Sequence, residues 1–267
     1  MEMFSLKNRT AIVTGSLCLI GKEHCKALSE AGANVIVSDL DESKCIEFAR
    51  SLSTESFGIV LDVTDPDSIK RLRDKVLEKF SHIDILVNNA AINDMFENPK
   101  AAAEQSKFEN YPLELWQKSV DVNLTGVFLC SQILGTEMAK QKFGSIINIA
   151  STYGVTAPDQ SLYIKEDGTQ SFFKQPAYSA TKGAVIAFTK YLAAYWGKDG
   201  VRVNTLTPGG VENFQDNFFI EKYSAKTPLG RMARPTDYKG ALIFLASDAS
   251  NYMTGANLVV DGGWTCW

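Results

Sequence analysis

The chain has 267 residues, 45% apolar and 22% charged, enough to bury about 73% of its unfolded surface without disulfide or metal staples. That balance excludes long disorder, collagen-like repeats and a membrane bundle, and a net charge of −4 offers no basic field for nucleic acid or anionic lipid. The cysteines (Cys18, Cys25, Cys45, Cys130 and Cys266) and the two histidines, His24 and His82, match neither a disulfide framework nor a metal-ligand spacing, so no metal is expected.

In chain order, a β-branched run at Thr10–Thr14 predicts the first strand, and Gly21–Ala31 a helix that stops at Gly32. Strands follow at Asn34–Ser38 and Phe57–Leu61. Asp65 caps a helix that begins with Pro66 and runs to Phe80. After a strand at Ile83–Asn88, Pro112 opens a long helix reaching about Met138. Strand Ser145–Ala150, helix Ala177–Gly197, strand Val201–Thr207, helix Thr236–Ala246 and strand Asn257–Asp261 complete the series.

Seven apolar strands alternating with helices predict an α/β fold, a single-domain Rossmann-like doubly wound parallel sheet over residues 1–267. Neither a repeat nor a linker divides the chain. Three stretches exceed the usual loop length, near 93–111, 157–175 and 209–231. All follow the carboxyl ends of predicted strands, where open α/β sheets bind ligands, so they are expected to wall a substrate pocket. The opening MEMFSLKNRT lacks the apolar run of a signal peptide, and no segment reaches the ~20 apolar residues of a spanning helix; a cytoplasmic address without membrane contact is expected.

The first strand runs into Thr14-Gly15-Ser16-Leu17-Cys18-Leu19-Ile20-Gly21 and then a helix, the setting in which backbone amides and a helix N-terminus receive a pyrophosphate. The middle glycine of a dinucleotide turn is missing, whether expected at Cys18 or at Leu19. Gly15 and Gly21 also suit a plain tight connection. Asp39 closes the second strand, where a carboxylate accepts ribose hydroxyls and repels a 2′-phosphate, which favours NAD over NADP; the alternative is a solvated cap.

Tyr178 and Lys182 lie four apart on a helix, which places phenol and ammonium one turn apart on one face. A neighbouring cation favours phenolate, drawing tyrosine toward a working pH for proton exchange with an alcohol or ketone. Ser151, at the carboxyl edge of the fifth strand, is placed to hold the substrate oxygen. Asn123 is a helix-unfriendly amide in mid-helix, suited to a kinked backbone and a held water. Simple capping or backbone bonding remains the other reading of both.

Taken together, the ordered set Thr14-Gly15…Gly21, Asp39, Asp62-Val63, Asn88-Asn89-Ala90-Ala91, Asn123, Ser151, Tyr178…Lys182, Pro208-Gly209 and Thr254-Gly255…Val260-Asp261-Gly262-Gly263 resembles the short-chain dehydrogenase/reductase family over essentially the whole chain. The resemblance implies a catalytic group of Asn123, Ser151, Tyr178 and Lys182, in which the lysine also holds the nicotinamide ribose and the asparagine supports a water relay. It implies NAD bound by Gly15, Ile20, Gly21, Asp39, Leu40, Asp62, Val63, Asn89, Ala90, Ala91, Tyr178, Lys182, Pro208, Gly209 and Val211. It further implies a small-molecule substrate and a homodimer or homotetramer. Three departures stand out: the missing glycine, Ala91 where the family usually has glycine, and 27 positions between Ser151 and Tyr178, roughly twice the family's usual gap.

The stretch Pro158–Lys174 carries Tyr163, Lys165, Glu166, Phe172 and Phe173, suited to stacking and polar contacts, or else to an oligomer contact or surface flap. Phe214, Phe218, Phe219 and Tyr223 are spaced for an amphipathic helix over a pocket, or for ordinary core. Arg231 and Arg234 suit carboxylate or phosphate groups, or surface ion pairs. The Leu-Ile-Gly turn, the long insertion, Tyr191–Gly197 and the Trp-Thr-Cys-Trp ending are similar to family members from bacterial flagellin-modification and surface-polysaccharide genes, which implies a sugar or sugar phosphate whose alcohol and ketone forms interconvert. The competing expectation is a non-catalytic binding or sensor module with a degenerate dinucleotide turn.

Overall fold

The computed structural model describes residues 2–93 and 99–267; of the stretch near 93–111, residues 94–98 lie outside the described residues. Its centre is a sheet of seven parallel strands: β1 (Thr10–Thr14), β2 (Asn34–Asp39), β3 (Phe57–Val60), β4 (Ile85–Asn88), β5 (Gly144–Ile149), β6 (Val201–Pro208) and β7 (Asn257–Val260). Their spatial order is β3-β2-β1-β4-β5-β6-β7, the doubly wound single-domain architecture expected. Strand ends differ from the sequence reading by one or two residues.

Alternate residues of each strand feed opposite faces. Val13 and Val35 join Leu28 and Leu242 in one core, while Ile12 and Ile36 join Leu72, Leu134 and Val203 in the other. Both faces are covered, which is why the strands read as unbroken apolar runs. Burying one leucine such as Leu28 or Leu134 stabilises the fold by about 1.5–3 kcal/mol.

On the first face lie α1 (Leu19–Glu30) and α2 (Glu42–Arg50), the latter not foreseen. Its buried residues are only Cys45 and Ala49, too small a stripe to register as periodicity, and Asp41 caps it by accepting the Lys44 amide. Gly58 of β3 makes that packing feasible: a Cβ there would lie 2.1 Å from the Cys45 carbonyl carbon.

On the other face, α3 (Pro66–Phe80) follows its Asp65 cap, with Pro66 at the first helical position. A short helix, α4 (Pro99–Gln105), precedes α5 (Leu113–Val120). What the sequence suggested as one long helix is α5, a π-turn at Asp121–Thr125 and α6 (Gly126–Gln141). The long helix α7 (Pro176–Trp196) carries Tyr178 and Lys182 beneath the carboxyl ends of β5 and β6. Two more helices precede β7: α8 (Asn217–Lys226), and α9 (Lys239–Ala246), which packs on β5 and β6 on the first face. Among the described residues no helix is long and apolar enough to cross a membrane.

The chain reverses direction across the sheet between β1 and β4, and the ends of these strands open a crevice. Above it, the 157–175 stretch folds back on itself through a Gln160–Tyr163 turn and an Ile164–Gln170 bridge. The 209–231 stretch contains α8.

Candidate active site

Two adjoining cavities occupy the crevice. The first, about 780 Å³, is lined by Gly15, Asp39, Leu40, Asp62, Val63, Ala90 and Ala91 among others. The second, about 690 Å³, is lined by Ile20, Asn89, Ala91, Ser151, Tyr178, Lys182, Pro208, Gly209 and Val211, together with residues of the inserted stretches. Cys18 and Ala91 line both and join them. Gly21 and Asn123 line neither and act from behind.

The β1–α1 turn is held against the end of β4. Thr14 Oγ1 accepts the Asn89 and Ala90 amides at 3.0 Å each, and Asn89 Nδ2 donates to the Thr14 and Gly15 carbonyls at 2.9 Å each. Gly15 has φ +62°, and a Cβ there would lie 2.7 Å from Ala90 Cα. Gly21 lies equally close, since a Cβ would sit 2.4 Å from the Gly15 carbonyl oxygen. No positive φ falls at Leu19, which begins α1, or at Cys18, whose φ is −71°. Neither position needs glycine to make the turn. Cys18 instead caps α1, its Sγ accepting the Gly21 amide at 3.3 Å.

Asp39 Oδ2 accepts the Leu17 amide at 2.9 Å and Oδ1 the Leu40 amide at 2.8 Å, so the carboxylate is fixed at the mouth of the first cavity. This is more than a solvated cap.

In the second cavity Tyr178 is half-buried, and Lys182 Nζ lies 5.9 Å from its ring centroid. Lys182 is buried and donates to the Ile149 carbonyl at 2.7 Å; burial brings its ammonium down to about 8. Burial pushes the Tyr178 phenol up, and the neighbouring Ser151 hydroxyl pulls against that rise. Ser151 is buried at the end of β5 and accepts the Tyr153 amide at 3.2 Å. The capping reading of Ser151 is therefore correct as far as it goes, and the hydroxyl also faces the phenol.

Asn123 is fully buried within the π-turn. Its Oδ1 accepts the Ile92 amide at 2.7 Å, and its Nδ2 donates to the Ile92 carbonyl at 3.0 Å and to Thr181 Oγ1 at 3.4 Å. It ties the kinked helix to the strand end after β4 and to the helix of Tyr178.

The inserted stretches close the cavity with one aromatic cluster. Tyr163 packs on Phe172 at 4.4 Å and on Phe219 of α8 at 5.5 Å, and Tyr223 stacks on Trp264 at 4.1 Å. Phe219 and Tyr223 thus serve both as core and as cavity wall, whereas Phe218 and the fully exposed Phe214 only line the cavity. Arg231 is engaged by Asp237 at 2.6 Å and lines a separate 220 Å³ cavity, and Arg234 gives its backbone amide to the same carboxylate. The ion-pair reading of Arg231 is the correct one.

Among the wall residues to which the sequence reading gave no role of their own are Lys174, Tyr153 and Asn93. Lys174 stands four before Tyr178, as Lys182 stands four after, and that symmetry was the available signal.

The family described as enoyl-(acyl carrier protein) reductase matches residues 18–265. The chain is 36% identical to 2-dehydro-3-deoxy-D-gluconate 5-dehydrogenase of Bacillus subtilis, over 98% of this chain and 97% of that protein. It is 30% identical to the NAD-dependent glycerol dehydrogenase of Listeria innocua, over 98% and 96% respectively. Among solved structures, a gluconate 5-dehydrogenase from Burkholderia cenocepacia in complex with NADP and tartrate superposes with a TM-score of 0.85 at 32% identity, covering 99% of this chain and 98% of that one.

Proposed function

The chain belongs to the short-chain dehydrogenase/reductase family of oxidoreductases acting on CH–OH groups, and on that premise we propose that it is NAD(H)-dependent and interconverts a polyol or sugar-like secondary alcohol with its ketone. One observation carries the reading: a cavity holding Ser151, Tyr178 and Lys182 opens, past Cys18 and Ala91, into one rimmed by Gly15 and Asp39.

Two features of the first cavity fit an adenine dinucleotide. Gly15 lacks the Cβ that would lie 2.7 Å from Ala90 Cα, so the turn packs directly on Ala90 at the rim of the cavity and shows it bare backbone. Asp39, held by two amides, offers a carboxylate to ribose hydroxyls, and its charge opposes a 2′-phosphate. Gly15, Asp39, Leu40, Asp62, Val63, Ala90 and Ala91 would hold the adenosine half, and Ile20, Asn89, Pro208, Gly209, Val211 and Lys182 the nicotinamide half. Gly21 supports the turn from beneath. When bound, the nicotinamide supplies or receives the hydride.

The protein supplies position and a proton. Ser151 orients the substrate oxygen against Tyr178. The Tyr178 phenol gives its proton to that oxygen in reduction and, as phenolate, takes it back in oxidation. The Lys182 ammonium favours the phenolate, and the Ile149 carbonyl fixes that ammonium in place. Asn123 sets the backbone around Ile92 and Thr181 behind the phenol.

Aromatic walls interleaved with Asn93, Asn213 and Gln215 suit a hydroxyl-rich substrate. The finer placement in flagellin-modification or surface-glycan metabolism, with a sugar or sugar phosphate as substrate, rests on the Leu-Ile-Gly turn, the insertion, the run Tyr191–Gly197 and the terminal Trp-Thr-Cys-Trp alone. A homodimer or homotetramer in the cytoplasm completes the proposal. The test is a panel of polyols, aldonates and sugar phosphates with NAD and NADP. Turnover of polyols or sugar acids with NAD supports it; turnover confined to acyl ketones or to NADP overturns it.

A further inference from the structure

The segment between Ser151 and Tyr178 delivers a second cation to the same phenol. Lys174 Nζ lies 4.4 Å from the Tyr178 ring centroid, nearer than Lys182 Nζ at 5.9 Å. It donates to Asn93 Oδ1 at 2.6 Å and lines the cavity. Its backbone is clamped: the Lys174 amide donates to Gln160 Oε1 at 2.8 Å, Gln160 Nε2 returns a bond to the Lys174 carbonyl at 3.2 Å, and the Phe173 amide donates to Ser106 Oγ at 2.8 Å. Pro176 then starts α7 and fixes the register of Tyr178.

We propose that Lys174 is a positioning residue for the proton step, holding an ammonium over one face of the Tyr178 ring so that the phenol ionises within working pH. The proposal rests on Tyr178 being the proton-exchanging group. A cation over an aromatic face is attracted by the ring quadrupole, and more strongly once the ring carries phenolate charge. The inserted segment thereby connects the substrate wall to the chemistry.

Among the described residues, the other groups facing Tyr178 are Ser151 after β5, Lys182 on its own helix, and the Tyr153 and Tyr163 phenols. Burial holds both of those phenols above the ordinary tyrosine range, so they contribute dipoles and no charge. Asp216 is the one carboxylate among the described residues lining the cavity.

The experiment is the tyrosinate absorbance titration of the full-length protein, Lys174→Met and Lys174→Arg, each corrected by the same chain carrying Tyr178→Phe. The expected Tyr178 transition moves up by roughly one pH unit in Lys174→Met and stays in place in Lys174→Arg. Coincident transitions in wild type and Lys174→Met, or no Tyr178 transition in wild type below about pH 10.5, overturn the proposal. Because absorbance needs no turnover, an upward shift supports it even if no alcohol proves to be a substrate. Where turnover is found, the acid limb of kcat/KM for alcohol oxidation should shift equally in Lys174→Met. A loss of the same size at every pH would mark Lys174 as a plain structural or substrate contact and overturn it.

Discussion

Asp39 Oδ2 accepts the Leu17 amide at 2.9 Å, so the turn after β1 holds the carboxylate that closes β2. On the proposed preference for NAD, a charge tethered this way opposes a 2′-phosphate, and Leu40 beside it offers no cation in exchange. Asp39→Ser should lower kcat/KM for NADH at least tenfold, about 1.4 kcal/mol, and raise it for NADPH. Steady-state kinetics with both cofactors check this; an unchanged preference would remove Asp39 from cofactor choice.

At Gly15 two penalties coincide, a left-handed backbone and a Cβ 2.7 Å from Ala90 Cα. Gly15→Ala should cost about 1–3 kcal/mol and weaken NADH binding, because Ala90 or the turn must shift. Gly168, with φ +83° and nothing within 4 Å of its Cβ position, is the control. Gly168→Ala should cost about 1 kcal/mol and leave NADH affinity unchanged. Thermal unfolding and tryptophan quenching by NADH measure both effects.

His24 is buried in α1, and neither ring nitrogen has a partner. Burial lowers it from 6.5 to about 4, against a smaller opposing pull from Glu23. As pH falls from 6.5 toward 4 the unfolded chain takes up a proton that the fold refuses. Stability therefore drops across that window by about 3 kcal/mol. Urea titrations at pH 7 and pH 4.5 should show His24→Leu with a visibly shallower loss than wild type. Parallel losses would exclude His24 as the cause.

The sheet was legible because helices on both faces turn each strand into an apolar run with one reading. Asn123 was legible too, since an amide in mid-helix called for a kink, and the π-turn supplies it. What escaped depended on size or on distant partners. The α2 helix buries only Cys45 and Ala49, so it left no stripe. Tyr163 and Phe172 find their places only when Phe219 arrives from α8, and Lys174 reaches Tyr178 only after the insertion has folded back. The missing glycine of the dinucleotide turn has a structural answer: Leu19 sits in helical backbone, and Cys18 caps the helix.

The pH dependence of the two reaction directions should be opposite. With Tyr178 as the proposed proton-exchanging group, oxidation should need its phenolate and rise with pH, and reduction should need the phenol and fall through the same transition. Rates in both directions on one substrate pair, from pH 6 to pH 10, check this. Two limbs that move together would place the proton elsewhere.

The most direct measurement is Tyr178→Phe, which keeps the ring and removes one hydroxyl. Turnover in both directions should fall by about three orders of magnitude or more, while NADH still quenches the tryptophan fluorescence with wild-type affinity. Turnover within tenfold of wild type would contradict Tyr178 as the group that exchanges the substrate's proton.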